Sequence, residues 1–226
     1  NKGRAKTAIA FIWVNVVLQI ANIALSFQYY NWLGSFSGKE LIKIDEKVTG
    51  ALMGQFLLFI VSSIVGIFVI VFFIMWFRRA YKNLHTLKAR NLKRSEGWAA
   101  GGWFVPVVWW FVPFQIMKEI ANGTSELAKK IQYHVPNMDG KIGLWWILWT
   151  LGFWGTLILN SAMGQGFADE YIVVKKAMNG AIITMSGGAI MLVSAFILLP
   201  IMKSITKMET EIYYNEEEFI DIEKAN

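Results

Sequence analysis

Five stretches of this chain, about 8–30, 51–77, 98–117, 143–163 and 179–202, hold no Asp, Glu, Lys, Arg or His. A helical run of about 20 apolar residues is long enough to cross the hydrocarbon core of a bilayer. Inside that core each backbone N–H and C=O must find its partner within the protein, which restricts such runs to helices or closed barrels. The expected fold class is therefore all-α, a polytopic membrane helix bundle. The first run is longer than the apolar core of a signal peptide, so it is expected to remain as a span.

The third run differs from the other four. It reads WAAGGWFVPVVWWFVPFQIM and holds Pro106 and Pro113, two of the four prolines, with Trp98, Trp103, Trp109 and Trp110. A mid-helix proline removes a backbone donor and clashes with the carbonyl four residues back. Two such breaks, seven residues apart, predict a bent interfacial or re-entrant segment over 98–117 that presents Trp109 and Trp110 to lipid or a partner. Met117 and Glu119 would begin its exit, with Glu119 able to pair with the basic residues upstream. A kinked ordinary span is the competing reading.

Charge arbitrates between them. If 98–117 does not cross, the flanking segments place 17 Lys and Arg on one side and 5 on the other; if it crosses, the split is 12 to 10. Positive charge accumulates on the inner face of membrane proteins. The expectation is thus four crossings with both termini cytoplasmic. Residues 1–202 would form the membrane domain and 203–226 an acidic cytoplasmic tail, either loosely ordered or docked through Met208, Ile212, Tyr213, Phe219 and Ile222. The strongest single signal is the segment Arg78, Arg79, Lys82, Lys88, Arg90, Lys93 and Arg94. Arg78, Arg79, Lys82, Arg90 and Arg94 are the candidate contacts to anionic lipid headgroups or to the tail. The loop 31–50 reads as solvated surface, and 164–177 as a loop carrying Asp169, Glu170, Lys175 and Lys176; Asp45 beside Glu46 is a weak chelating pair. Ser125–Gln132 reads as a short amphipathic helix, and Asn122-Gly123-Thr124 fits a glycosylation acceptor by pattern alone.

Polar residues within the spans fall on faces. Asn15, Gln19, Asn22 and Ser26 follow at helical spacing, as do Gln55, Ser62 and Gly66. Gly152, Thr156, Asn160 and Gly164 recur at every fourth residue, and Gly180, Thr184, Gly187, Gly188 and Ser194 supply small positions in the last span. Amides facing acyl chains are costly, so Asn15, Gln19, Asn22, Gln55 and Asn160 are expected to face neighbouring helices, where small residues allow close approach. Lining a solute path is the alternative.

Within the central segment, Arg78, Asn83-Leu84, Trp98-Ala99, the run Trp103-Phe104-Val105-Pro106, Pro113, Met117 and Glu119-Ile120 together resemble the bacterial membrane family catalogued as domain of unknown function 4328. Trp109 and Val112 stand where that family often has polar residues. The resemblance implies a bacterial inner-membrane protein whose WFVP segment faces the cytoplasm. It implies no activity.

The chemistry available is narrow. There is no cysteine, and His85 and His134 are the two histidines, so thiol chemistry is excluded and a metal or haem site is not expected. No cofactor is expected. The apolar runs carry no base or nucleophile pair for catalysis and no ionisable group of the kind that marks a coupled-ion pathway. The aromatic residues lie in apolar runs, so nucleic acid is not an expected partner. What remains is a non-catalytic accessory or structural subunit, bound to a larger membrane protein or to its own copies. A passive channel or small-solute transporter lined by Asn15, Gln19 and Asn22 is the alternative.

Overall fold

The computed structural model describes residues 1–36, 38–44, 46–163, 167–168 and 171–225. Asp45, Gly164, Asp169 and Glu170 lie outside them, as do the side chains of Glu46, Phe219 and Ile222. The chain is an all-α bundle. Helix α1 covers Lys2–Gly34, α2 Glu46–Thr86, α3 Trp98–Gly101 and α4 Val112–Lys130. Helix α5 covers Asp139–Thr150, continues through a π-helical turn at Leu151–Gly155 into α6 at Thr156–Met163, and is followed by α7 at Val174–Ala225. Among the described residues, four helical stretches are long and apolar enough to cross a membrane: Lys2–Gly34, Leu52–Thr86, Asp139–Ala162 and Val174–Asn215. The chain is a multi-pass membrane protein on that ground.

The helices outrun their apolar cores. At about 1.5 Å per residue α2 is roughly 60 Å long, about twice a hydrocarbon core. The surplus carries the charged residues Arg78, Arg79 and Lys82. Helix α7 likewise continues past Lys203, and there Ile205, Met208 and Ile212 are buried.

The chain divides into two compact units, and α1, α2 and α7 each give a segment to both. The first comprises Asn1–Ile12, Phe68–Trp145 and Phe196–Asn226. Its core takes Ala5, Ala8 and Ile12 from α1, and Trp76, Phe77, Ala80, Tyr81 and Leu84 from α2. Helix α4 adds Ile116, Met117, Ile120 and Ala121, and α7 adds Met202, Ile205 and Met208. On α4 the buried positions recur at steps of three and four, while Lys118, Asn122, Glu126, Lys129 and Lys130 face out. This is the pattern of an amphipathic helix lying on a core.

The second unit comprises Trp13–Ile67 and Trp146–Ala195. It corrects the reading of 31–50 as plain solvated surface and adds short strands within the loop 164–177. Leu41–Lys43 (β1), Phe167–Ala168 (β2) and Tyr171–Val173 (β3) form an antiparallel sheet in the order β1-β3-β2, with Ile42 opposite Ile172. Ile42 and Ile172 point into a small core with Leu33, Val174 and Ala177, ringed by Tyr29, Trp32 and Phe36. The cause is simple alternation: in each three-residue strand the middle side chain turns inward and its neighbours outward.

In the same unit the small faces meet. A Cβ on Gly187 would overlap the Thr156 hydroxyl, one on Gly152 would come 2.8 Å from Met191 Cγ, and one on Gly188 would come 3.0 Å from Gln19 Nε2. Thr156 is itself fixed, its Oγ1 donating to the Gly152 carbonyl at 2.6 Å. Asn160 Oδ1 lies 3.9 Å from the Cβ position of Gly180. Close helix approach through small residues is the packing mode expected where lipid replaces water and the hydrophobic drive between helices is absent.

Candidate functional site

The site with the most structure built around it is the junction of α2, the basic loop and α4, all within the first unit. Helix α2 ends in a Schellman motif: the amide of Lys88 donates to the His85 carbonyl (3.1 Å) and that of Ala89 to the Leu84 carbonyl (3.0 Å). Lys88 takes the left-handed conformation (φ 49°) that glycine usually occupies in this motif, and Asn91 is left-handed too (φ 65°). Helix α4 ends the same way, with Gln132 at φ 58° and the amides of Gln132 and Tyr133 donating to Lys129 and Ala128.

The basic loop is tied to α4 by hydrogen bonds rather than by charge pairing. The Tyr81 hydroxyl donates to Glu119 Oε2 at 2.6 Å and lies 3.0 Å from the Arg94 carbonyl oxygen. Glu119 Oε2 also accepts the Lys93 backbone N–H (3.2 Å), and the Arg94 guanidinium donates to Gln115 Oε1 (2.8 Å) while lying over the Trp98 ring. Glu119 is placed by the sequence where it is able to pair with the basic cluster. It binds that segment through Tyr81 and a main-chain amide; the ion pair formed within the segment is Lys82–Glu96 at 3.7 Å. Arg78, Arg79 and Arg90 are exposed. On the far side of α2, Asn83 Nδ2 donates to Glu209 Oε1 (2.9 Å), Asn1 Nδ2 donates to Glu209 Oε2 (3.0 Å), and Trp76 Nε1 donates to Thr206 Oγ1 (3.1 Å).

The proline segment breaks once, not twice. Helix α3 stops at Gly101, and Gly102 is pressed so closely on α4 that a Cβ there would sit 2.7 Å from Val112 Cγ1. After Pro106, Val107 takes φ 67°, a strained conformation for a β-branched residue, and a 3₁₀ turn spans Val108–Trp110. Pro113, expected to break a second turn, instead opens α4. In the first turn of a helix the missing N–H has no intrahelical acceptor to lose, and the fixed φ is already helical. Met117 and Glu119 therefore lie inside α4 rather than on an exit, and Ser125–Lys130 is the end of that same helix rather than a short one of its own. Trp103 is wedged edge-on against Phe73 and Phe77. Trp109 is half-buried, and the segment presents Phe104, Val107, Phe111 and, at its margin, Trp110.

The intramembrane amides belong to the second unit. Asn22 Nδ2 donates to Ser62 Oγ (2.9 Å) and to its own Leu18 carbonyl (3.0 Å), Gln19 packs over Gly188, and Asn15, Gln55 and Asn160 are half-buried. Among the described residues no group of three or more His, Asp or Glu side chains is gathered as a metal site would need.

A family model described as Domain of unknown function (DUF4328) matches residues 45–207. The chain belongs to that family. No curated protein and no solved structure matches it. The residues that carry the family resemblance occupy the framework of the first unit: Leu84, Ala99, Met117 and Ile120 are buried in it, Asn83 holds Glu209, and Glu119 holds Tyr81. Tyr81, Gln115 and Glu209, with Asn1, Trp76 and Thr206, are members of this network that sequence reasoning missed. Each finds its partner in a remote segment, and no local pattern marks such a pair.

Proposed function

We propose that this member of the DUF4328 family is a non-catalytic accessory or structural subunit of the bacterial cytoplasmic membrane, docking on a larger membrane protein. Residues 1–202 form the membrane domain in this reading, both termini are cytoplasmic, and Phe104, Val107 and Phe111 rest in the inner interface. The observation that carries it is on α2. This is the most apolar of the four spans, yet only 6% of its most apolar window is buried within the chain. Gly50 and Gly54, four apart and so on one helical face, have open space where a side chain would stand, as does Gly66. On α7, Gly187 and Gly188 are filled by their neighbours in this chain; the glycines of α2 are open. A helix meant only for lipid has no use for a Gly-xxx-Gly face, whereas a second helix does.

The channel reading has less support, because Asn22 spends its amide on Ser62 and Leu18, and Gln19 packs on Gly188. Anionic phospholipid headgroups are the further partners proposed for Arg78, Arg79, Lys82, Arg90 and Arg94.

Purification from native membranes in a mild detergent tests the docking. The wild-type chain should carry a stoichiometric partner, and Gly50→Leu with Gly54→Leu should lose it while the chain's own melting temperature holds. Retention of the partner by the double variant would refute this use of α2. A wild-type chain that runs alone and passes solutes in liposomes would favour the channel.

A further inference from the structure

Between the C-terminal ends of α2 and α4 lies an open cleft of about 330 Å³, lined by Ala89, Arg90, Gly123, Glu126, Lys129 and Lys130. Its volume is at the lower end of small-ligand sites, about 300–1,000 Å³. Gly123 lines it too; a Cβ there would lie 3.0 Å from Leu84 and 3.7 Å from Ala89, so glycine lets α4 lie close on the end of α2. Left-handed Lys88 and Gln132 turn the chain just beyond α2 and α4, and Arg90, two residues past the first of these turns, lines the cleft together with the lysines of α4.

The charge of the cleft can be counted. Arg90, Lys129 and Lys130 contribute three positive charges, Glu126 one negative, and each helix C-terminus about half a negative charge. About one positive charge is left over. That suits a singly charged phosphodiester better than a doubly charged phosphomonoester, and an arginine flanked by lysines is the donor set that recognises phosphate oxygens.

We propose that this cleft is a binding site for a phosphate-bearing anion, and that the ligand is the phosphodiester headgroup of an anionic phospholipid. The inference rests on the inner-face placement of the basic segment proposed above, and it narrows a diffuse cationic surface to one site. Lys129 and Lys130, outside the basic segment, belong to it; Arg78 and Lys82 do not.

The test uses the full chain in neutral maltoside micelles, titrated with phosphatidylglycerol, phosphatidylcholine or inorganic phosphate and followed by native mass spectrometry and thermal shift. One phosphatidylglycerol should bind per chain, in preference to phosphatidylcholine. Arg90→Gln with Lys130→Gln should weaken that binding by about tenfold or more, at roughly 1 kcal/mol per cation. Lys2→Gln with Lys6→Gln, the same change in charge on exposed residues of α1, should leave it nearly intact. Saturation by inorganic phosphate alone, lost in the Arg90 and Lys130 variant, would keep the phosphate site and replace the lipid by a soluble phosphate. Equal losses in both variants, or no preference over phosphatidylcholine, would overturn the site. Labelling from outside the cell tests the placement of the segment separately, so the two can fail independently.

Discussion

Trp76→Ala is expected to destabilise the chain by about 3–5 kcal/mol, the range for truncating a buried tryptophan. Trp76 is fully buried and among the largest such side chains of the first unit. Its ring lies 5.7 Å from that of Phe73, its carbonyl accepts from Asn1 Nδ2, and its indole N–H donates to Thr206 Oγ1. Truncation opens a cavity between α2 and α7 and strips the hydroxyl of buried Thr206 of a donor. Thermal unfolding in detergent measures it. Trp76→Phe should recover part of the loss by filling the space, and Trp76→Phe with Thr206→Val should recover more, because the orphaned hydroxyl is gone too. A loss under about 1 kcal/mol for Trp76→Ala would mean that α2 and α7 do not meet there.

The second large effect is expected in the other unit. On an exposed helix Gly→Ala stabilises by up to about 1 kcal/mol. At Gly187 the sign should reverse, to a net cost of about 1–3 kcal/mol, because the new methyl overlaps Thr156, which is held by its bond to Gly152. Thr156→Gly combined with Gly187→Ala transfers the methyl across the seam and should restore at least half of the loss; residues in contact couple in this way. Gly54→Ala, in open space, supplies the internal control and should be neutral or stabilising. If Gly187→Ala behaves like Gly54→Ala, the seam between α6 and α7 is wrong.

These two sites show how unevenly the fold is written in the sequence. The spans could be read because a charge-free run of their length has few alternatives in a bilayer, and the seam because Gly152, Thr156 and Asn160 share a helical face. The sheet could not be read, since strands of two and three residues leave no periodicity. Pro113 misled because a proline that opens a helix and one that breaks it look alike until the helix start is known; in retrospect Val112 through Lys130 has the amphipathic spacing that places it. Tyr81 and Glu119 stand 38 residues apart, and Asn83 and Glu209 stand 126 apart. Long-range partners like these are set by how the helices align, which no window of sequence contains. Glu209 in particular lies in a stretch whose acidic composition suggests solvent.

The proposed topology has a direct test, since the chain has no cysteine of its own. Single substitutions Lys2→Cys, Lys88→Cys, Lys130→Cys and Lys207→Cys, each in intact cells, should be shielded from a membrane-impermeant thiol reagent, whereas Lys43→Cys and Lys175→Cys should react. Four crossings with residues 98–111 held at the inner face require that pattern. Reaction at position 130 together with protection at 175 would show that the proline segment crosses the membrane, and would contradict it.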